Sequence, residues 1–416
     1  MRTLRFLLLC LFLGTPSVSA DNISQVILSG SSTALATSGT QYLGAMGAEG
    51  IAPSTTEEDH EQIVPTAGTF FNLNISLSTA PGAGTSRTFT LRNNAGDTSI
   101  TCTISETDST CRSAATAAVA VGDEITYSST VSGTPAGTRV RLAISFLGTT
   151  PGASMLMGNN GANGLSTSAT EYLALSGNGV QEDTAAEVQN AASLAGTITV
   201  LRVVLGTAPG AGDSRTFDVF PGGTESCTIS ESDTSCAVAI SQAVVAANLY
   251  YIRTTISGTP AATEAAYSVD FIPTTLGQFP IGSAQKTVAD NTQTTYNFVQ
   301  GGSTDDGTTE TARATSSESF NVLRIDVRQS TNSGTGNTWT YTLQDDTADT
   351  ACSCAISGGS AVTCTTTATC KVTAGSRLEN EITPASTPTE PSRFSIGYAG
   401  FHTNYNTSTW QGAVLN

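Results

Sequence analysis

Short runs in which apolar and polar residues alternate recur along the whole chain. Phe71, Leu73, Ile75 and Leu77 alternate with polar partners; Leu201, Val203 and Leu205 repeat the pattern, as do Leu323, Ile325 and Val327 against Arg324 and Asp326. A period of two places alternate side chains on one face of a pleated strand, so these faces are expected to point into a core. A second family of runs does the same: Val140, Leu142, Ile144 and Phe146, then Tyr267, Val269 and Phe271, then Phe394, Ile396 and Tyr398. Punctuation by Gly, Pro, Asn and Asp divides the chain into about eight strands per repeat, enough for two packed sheets. The pattern predicts an all-β protein.

The strands come in three copies. Thr79-Ala-Pro-Gly-Ala-Gly84 returns as Thr207-Ala-Pro-Gly-Ala-Gly212, and Ser86-Arg-Thr-Phe89 returns as Ser214-Arg-Thr-Phe217 and more faintly as Thr338-Trp-Thr-Tyr341. Ser132-Gly-Thr-Pro135 becomes Ser257-Gly-Thr-Pro260 and then Ala385-Ser-Thr-Pro388. Near the front of each copy, Tyr42-Leu43, Tyr172-Leu173 and Tyr296-Asn297-Phe298 precede a turn that contains glycine. A repeat of about 125 residues is one domain rather than a solenoid unit. The expected organisation is a leader over 1–20, then modules over 21–150, 151–275 and 276–416, the last with a C-terminal tail. Eight antiparallel strands in such a length fit a jelly-roll sandwich. An immunoglobulin sandwich would place its cysteines far apart in sequence around a Trp, and here the cysteine pairs are local.

Cysteine number and spacing sharpen the picture. Eight cysteines follow the leader, an even number in a chain expected to be exported, so disulfides outrank metal ligation. Cys102 with Cys111 and Cys227 with Cys236 suit a bridge near the end of a hairpin, and Cys354 with Cys364 take those places in the third module. Cys352 lies two residues before Cys354, on the same face, and Cys370 lies on the returning strand, so Cys352 is expected to pair with Cys370. The alternative for these last four is a zinc site, which the two-cysteine modules do not support.

The first twenty residues carry Arg2 and Arg5, an apolar run from Phe6 to Leu13 and the small-residue end Val18-Ser19-Ala20, which reads as a signal peptide cleaved before Asp21. No later apolar run is long enough to span a bilayer, so the mature chain is expected to be exported without membrane insertion, secreted or extracellular, or held in the periplasm or at the cell surface of a bacterium. Charged residues are only 12% of the chain, too few to solvate the outer faces of many amphipathic helices, and the formal net charge is −17. Loss of Arg2 and Arg5 leaves 15 basic against 34 acidic residues, or −19. Such a surface repels phosphate backbones and argues against nucleic acid as a partner.

Candidate chemistry is sparse. The chain has two histidines, His60 and His402, in unrelated contexts, and no Gly-x-Ser-x-Gly elbow, so no catalytic residue is assigned. His60 follows Glu57-Glu58-Asp59 and reads as a solvated loop residue. Acids recur in loops of all three modules, at Glu57, Glu58 and Asp59, at Glu182 and Asp183, and at Asp305 and Asp306, and such oxygen ligands could hold calcium. Without a regular D-x-D-x-D-G spacing the bland reading is a charged loop that discourages edge pairing, and no cofactor is expected. Trp339 shares strand parity with Tyr341 and should cap the sandwich, whereas Trp410 lies in the tail. Asn22, Asn74 and Asn406 begin Asn-x-Ser/Thr sequons.

The run Arg87-Thr-Phe-Thr-Leu-Arg-Asn-Asn-Ala-Gly-Asp, followed by Cys-Thr-Ile-Ser, Val121-Gly-Asp-Glu-Ile125 and Ser-Gly-Thr-Pro, resembles the jelly rolls of the tumour-necrosis-factor and C1q-like superfamily, closest in style to its bacterial spore-surface and phage-associated branches. The resemblance covers nearly all of each module and is one of strands and turns. It implies a trimer-forming module used in surface structures or recognition, commonly without enzymatic activity. Those relatives usually carry one module per chain behind a stalk; here one chain supplies three and has no stalk. The expected function is therefore a secreted structural or interaction protein of a cell surface, matrix or virion-like exterior, with protein partners or self-association. The alternatives are a lectin-like protein that binds carbohydrate or another ligand, and, last, a glycan-active enzyme. Three linked units could pack as an intramolecular pseudo-trimer or follow one another as a row; short joints such as Gly148-Thr-Thr-Pro-Gly-Ala153 suit both.

Overall fold

The computed structural model describes residues 25–402 apart from 32, 49–51, 180, 223–224, 286–289, 304–313 and 392. The expected leader, Asp305, Asp306, Trp410, Asn22 and Asn406 lie outside the described residues. Nearly every described element is a strand, as the alternation and the wealth of Thr and Val require; two short 3-10 turns, Glu58–His60 and Ala185–Glu187, complete the set.

Three jelly rolls with one strand order make up the molecule. In module 1 the inner sheet runs Gly47–Ala48, Gln25–Gly30, Val140–Gly148, Gly68–Leu77, and ends on an edge shared by Thr110–Ser113 and Ala117–Val119. Its outer sheet has Thr40–Gly44 and Gln62–Ile63 side by side on Glu124–Ser132, followed by Gly82–Asn93 and Gly96–Glu106. Module 2 repeats the inner order with Gly177–Asn178, Ser154–Asn159, Ala265–Pro273, Gly196–Leu205 and Ser235–Val244. Module 3 does so with Gly301–Ser303, Gln278–Gln285, Phe394–His402 and Phe320–Gln329, whose far side takes Thr363–Thr366 and Cys370–Val372. In each, the first long strand pairs with the last, which closes the roll.

The alternation holds along the closing strands and breaks once in each third inner strand. Register shifts fall between Phe71 and Asn74, opposite Ala143 and Ser145, between Ile198 and Val200, and between Val322 and Arg324. A bulge puts two residues opposite one and reverses the inward parity on one side of it. Phe70 is therefore fully buried in the core where Phe71 was expected, and Val322 replaces Leu323. Leu323 packs instead on the core of module 2.

All four disulfides are formed as expected, Cys102–Cys111, Cys227–Cys236, Cys352–Cys370 and Cys354–Cys364. Their place differs from a hairpin end. Cys102 lies on the outer sheet and Cys111 on the inner sheet, so the turn at Glu106, whose φ is +53°, carries the chain across the sandwich and the bridge clamps one sheet to the other.

The modules close into a ring. The short outer-sheet strand of each one, Gln62–Ile63, Asn190–Ala191 or Ala314–Thr315, lies on the first and last strands of the next inner sheet: module 1 on 2, 2 on 3, and 3 on 1. Gln62 Nε2 donates to Met157 O at 3.4 Å, Ala191 N to Ser395 Oγ at 2.6 Å, and Asn74 Nδ2 to Thr315 Oγ1 at 3.2 Å. The apolar cores continue across each seam, Met155 and Met157 joining the core of module 1, Ala399 that of module 2, and Val26 and Leu28 that of module 3. A head-to-tail contact that closes after three steps is a cyclic trimer made within one chain. Both faces of Val140–Gly148 are buried for this reason, Arg141, Ala143 and Ser145 included.

At the centre of the ring, Gly47, Gly177 and Gly301 meet with φ of +83°, +96° and +99°. A Cβ on Gly47 would lie 2.4 Å from Cα of Gly177 and 3.1 Å from Cα of Gly301, so only glycine fits. These are the turn glycines that follow the Tyr-led segments. Between modules 1 and 3 the approach is close enough for Gly301 to pair with Ala48, which merges two inner sheets into one of twelve strands.

Candidate functional site

Chemically distinctive residues gather at the seams. The loop before Gln62–Ile63 is anchored by backbone pairing of Tyr42 with Ser54, and its counterpart by pairing of Tyr172 with Glu182. Counted from those anchors, Glu57, Glu58, Asp59, His60 and Glu61 correspond to Ala185, Ala186, Glu187, Val188 and Gln189. Glu182 and Asp183 thus do not share a place with Glu57, Glu58 and Asp59, as the sequence had suggested; they stand where module 1 has Ser54 and Thr55, and the acid corresponding to Asp59 is Glu187.

At the seam of modules 1 and 2 the loop is acidic and internally paired. The Glu57 carboxylate accepts from Arg92 Nε at 2.6 Å and from Thr126 Oγ1 at 2.8 Å, and Asp59 Oδ2 accepts from Ser54 Oγ at 2.5 Å. His60 is fully buried rather than solvated, and its Nε2 accepts from Ser54 N at 3.1 Å. Burial, opposed by the nearby Asp59 charge, holds its pKa down at about 4. Glu61 shares a hydrogen bond with Glu124; burial first, then the charges of Glu124, Glu57 and Glu58, pushes it up to about 7. Across the seam Glu264 is also raised, by burial and then by Asp59 and Glu58. Among the described residues no three acids, histidines or cysteines are arranged to hold a metal.

The seam of modules 2 and 3 is built on the same plan with the opposite charge. Glu264 immediately precedes the last strand of module 2, and Arg393 has that place in module 3: Gly206 N donates to Glu264 O and Ser330 N to Arg393 O. Arg393 Nε lies 3.6 Å from Glu187 Oε1 of the facing loop. Beside it, Arg328, Gln189, Leu249 and Val362 line a cleft of about 260 Å³. A second, apolar cavity of about 50 Å³ lies nearby under Leu194, Ile198, Tyr250 and Ile281.

Away from the seams the molecule is plain. Cross-strand hydroxyl pairs, Thr88 with Thr103 at 2.9 Å, Thr216 with Thr228 at 3.0 Å and Thr338 with Ser357 at 2.9 Å, satisfy one another on the outer sheets. At the seam of modules 3 and 1, by contrast, His402 sits against Phe279 with its Nδ1 3.5 Å from Glu318, whose Oε1 accepts from Asn72 Nδ2 at 2.7 Å. Glu106, Asp108, Glu231 and Asp233 are exposed around the turns inside the disulfide loops.

No family model matches the chain, and no curated protein matches it. Among the described residues no helix is long and apolar enough to cross a membrane. What the fold and the clamps define is a disulfide-stabilised all-β protein of the kind suited to an oxidising exterior.

Proposed function

We propose that the protein is an exported, non-enzymatic structural or interaction protein of a cell surface, matrix or virion-like exterior, in the style of the tumour-necrosis-factor and C1q-like jelly rolls, with three modules of one chain in place of three subunits. The observation that carries this reading is the closed ring: three sandwiches share seams and a glycine-lined centre, the arrangement that a trimer-forming jelly roll would leave after fusion into one chain. Inter-sheet disulfides and few charges suit a durable body outside the cell. The reading needs no cofactor, and self-association of rings is compatible with it. The test is retention. Labelled mature protein is added back to washed cells or particles of the producing organism, and its surface polysaccharides are assayed for cleavage. Saturable retention without turnover is the expected result; turnover of a glycan, or recovery of all the protein as free monomer, overturns the reading.

A further inference from the structure

We infer that the cleft between modules 2 and 3 binds a carboxylate-bearing sugar, a uronate, whose carboxylate is received by Arg328 and Arg393. Arg328 faces Ser395 across the sheet, two residues from Arg393, so the two guanidinium groups are diagonal neighbours on one face. Like charges so placed repel, and the chain has 17 basic residues in 416, yet two of them stand here. Glu187 offsets one. Arg328 has no side-chain partner among the described residues, nor has the amide of Gln189 beside it. One carboxylate is the group that two converging guanidiniums would recognise.

The remainder of the cleft favours a sugar over a smaller anion. Its volume of about 260 Å³ exceeds that of a bare carboxylate or inorganic phosphate, and its lining mixes the Gln189 amide with the apolar side chains of Leu249, Val362 and Ala186. Amide donors for hydroxyls beside an apolar wall for ring carbons are what a pyranose presents to be matched. The corresponding seam between modules 1 and 2 has Glu264 for Arg393 and Glu61 for Gln189, so it would reject the same ligand. The inference goes beyond the surface reading and requires only that the ring be closed.

Calorimetric titration of the purified mature chain with a methyl uronoside tests it, beside the matching neutral methyl hexoside and N-acetylglycine. Saturable binding of the uronoside with a Kd near 1 mM or tighter, weakened by salt, is expected, with no heat from the hexoside. Arg328→Gln and Arg393→Gln should each weaken binding at least about tenfold at unchanged melting temperature. Glu187→Gln, which removes a competing carboxylate, should tighten it, a gain that damage to the fold would not produce. No saturable heat from the uronoside, an equal response to the hexoside, tighter binding of N-acetylglycine, or an unaltered affinity in Arg328→Gln would each overturn the inference. Because the assay uses isolated protein, its failure would leave the retention test untouched.

Discussion

Arg87 and Arg215 are almost wholly buried, each at the end of its sandwich, where they act as donors to backbone carbonyls. Arg87 reaches Ala136 O at 2.9 Å, Arg215 reaches Ala261 O at 2.7 Å, and in module 3 the indole of Trp339 reaches Thr389 O at 2.9 Å from the corresponding place. Strand parity with Tyr341 was enough to put Trp339 inside. The same parity places Arg87 inward of Phe89, but a lone Arg on a strand reads as solvated, because long charged side chains are seldom buried. His60 was hidden for another reason: the 3-10 turn and the neighbouring module cover it, and neither is visible in a local window. It and Glu61 give the seam a pH response of two opposed parts. A buried histidine with a lowered pKa is neutral in the fold, so its share of stability is lost as pH falls from about 6.5 towards 4. A carboxyl with a raised pKa keeps its proton longer in the folded chain than in the unfolded one, so stability is lost as pH rises from about 4.5 towards 7. Glu61→Gln should therefore raise the melting temperature at pH 8 and leave it nearly unchanged at pH 4.5. Equal shifts at both values would show that Glu61 does not carry the response.

The strands were legible because each closing strand keeps strict alternation and each pair of cysteines keeps its spacing. The bulge was not: Phe70 and Phe71 are chemically the same residue, and Asn72, with its φ of +53°, differs from an ordinary strand Asn only in conformation. The acidic loops misled for a related reason, since composition recurs while register, set by the Tyr42 and Tyr172 anchors, is shifted. The disulfide pairing was readable from parity, but the crossing from outer to inner sheet was not, because a tight turn within one sheet and a turn between sheets have the same length. As clamps on denatured loops of 9 and 18 residues, these bridges should differ in worth. Replacing Cys102 and Cys111 together by Ala should cost about 2–3 kcal/mol, and replacing Cys352 and Cys370 slightly more, read from the denaturant midpoint. An unchanged midpoint in both would mean that the sheets hold together without their clamps.

Three modules could be counted in the sequence, but their closure could not, since the residues that make the seams, Gln62, Asn74, Ser395 and Thr315, are ordinary polar residues on strands. Even the central glycines were readable only as turns. Gly47→Val should force the ring open by placing side-chain atoms where Gly177 and Gly301 stand. In small-angle scattering the parent should show a radius of gyration of about 21 Å, as a compact body of this length does, and the variant a larger one with faster proteolysis at the joints between modules. An identical radius for the two would show that the glycines do not govern closure. Fusion of the three units also changes valency. A trimer of identical chains must present any surface group three times, and so engages its targets with avidity and can bridge them. Here Arg328 stands where module 1 has Ser76 and module 2 has Val204, so a threefold body is free to be monovalent. A ligand held at one seam would be released at the rate of a single contact, and the ring would decorate an extended target without crosslinking it.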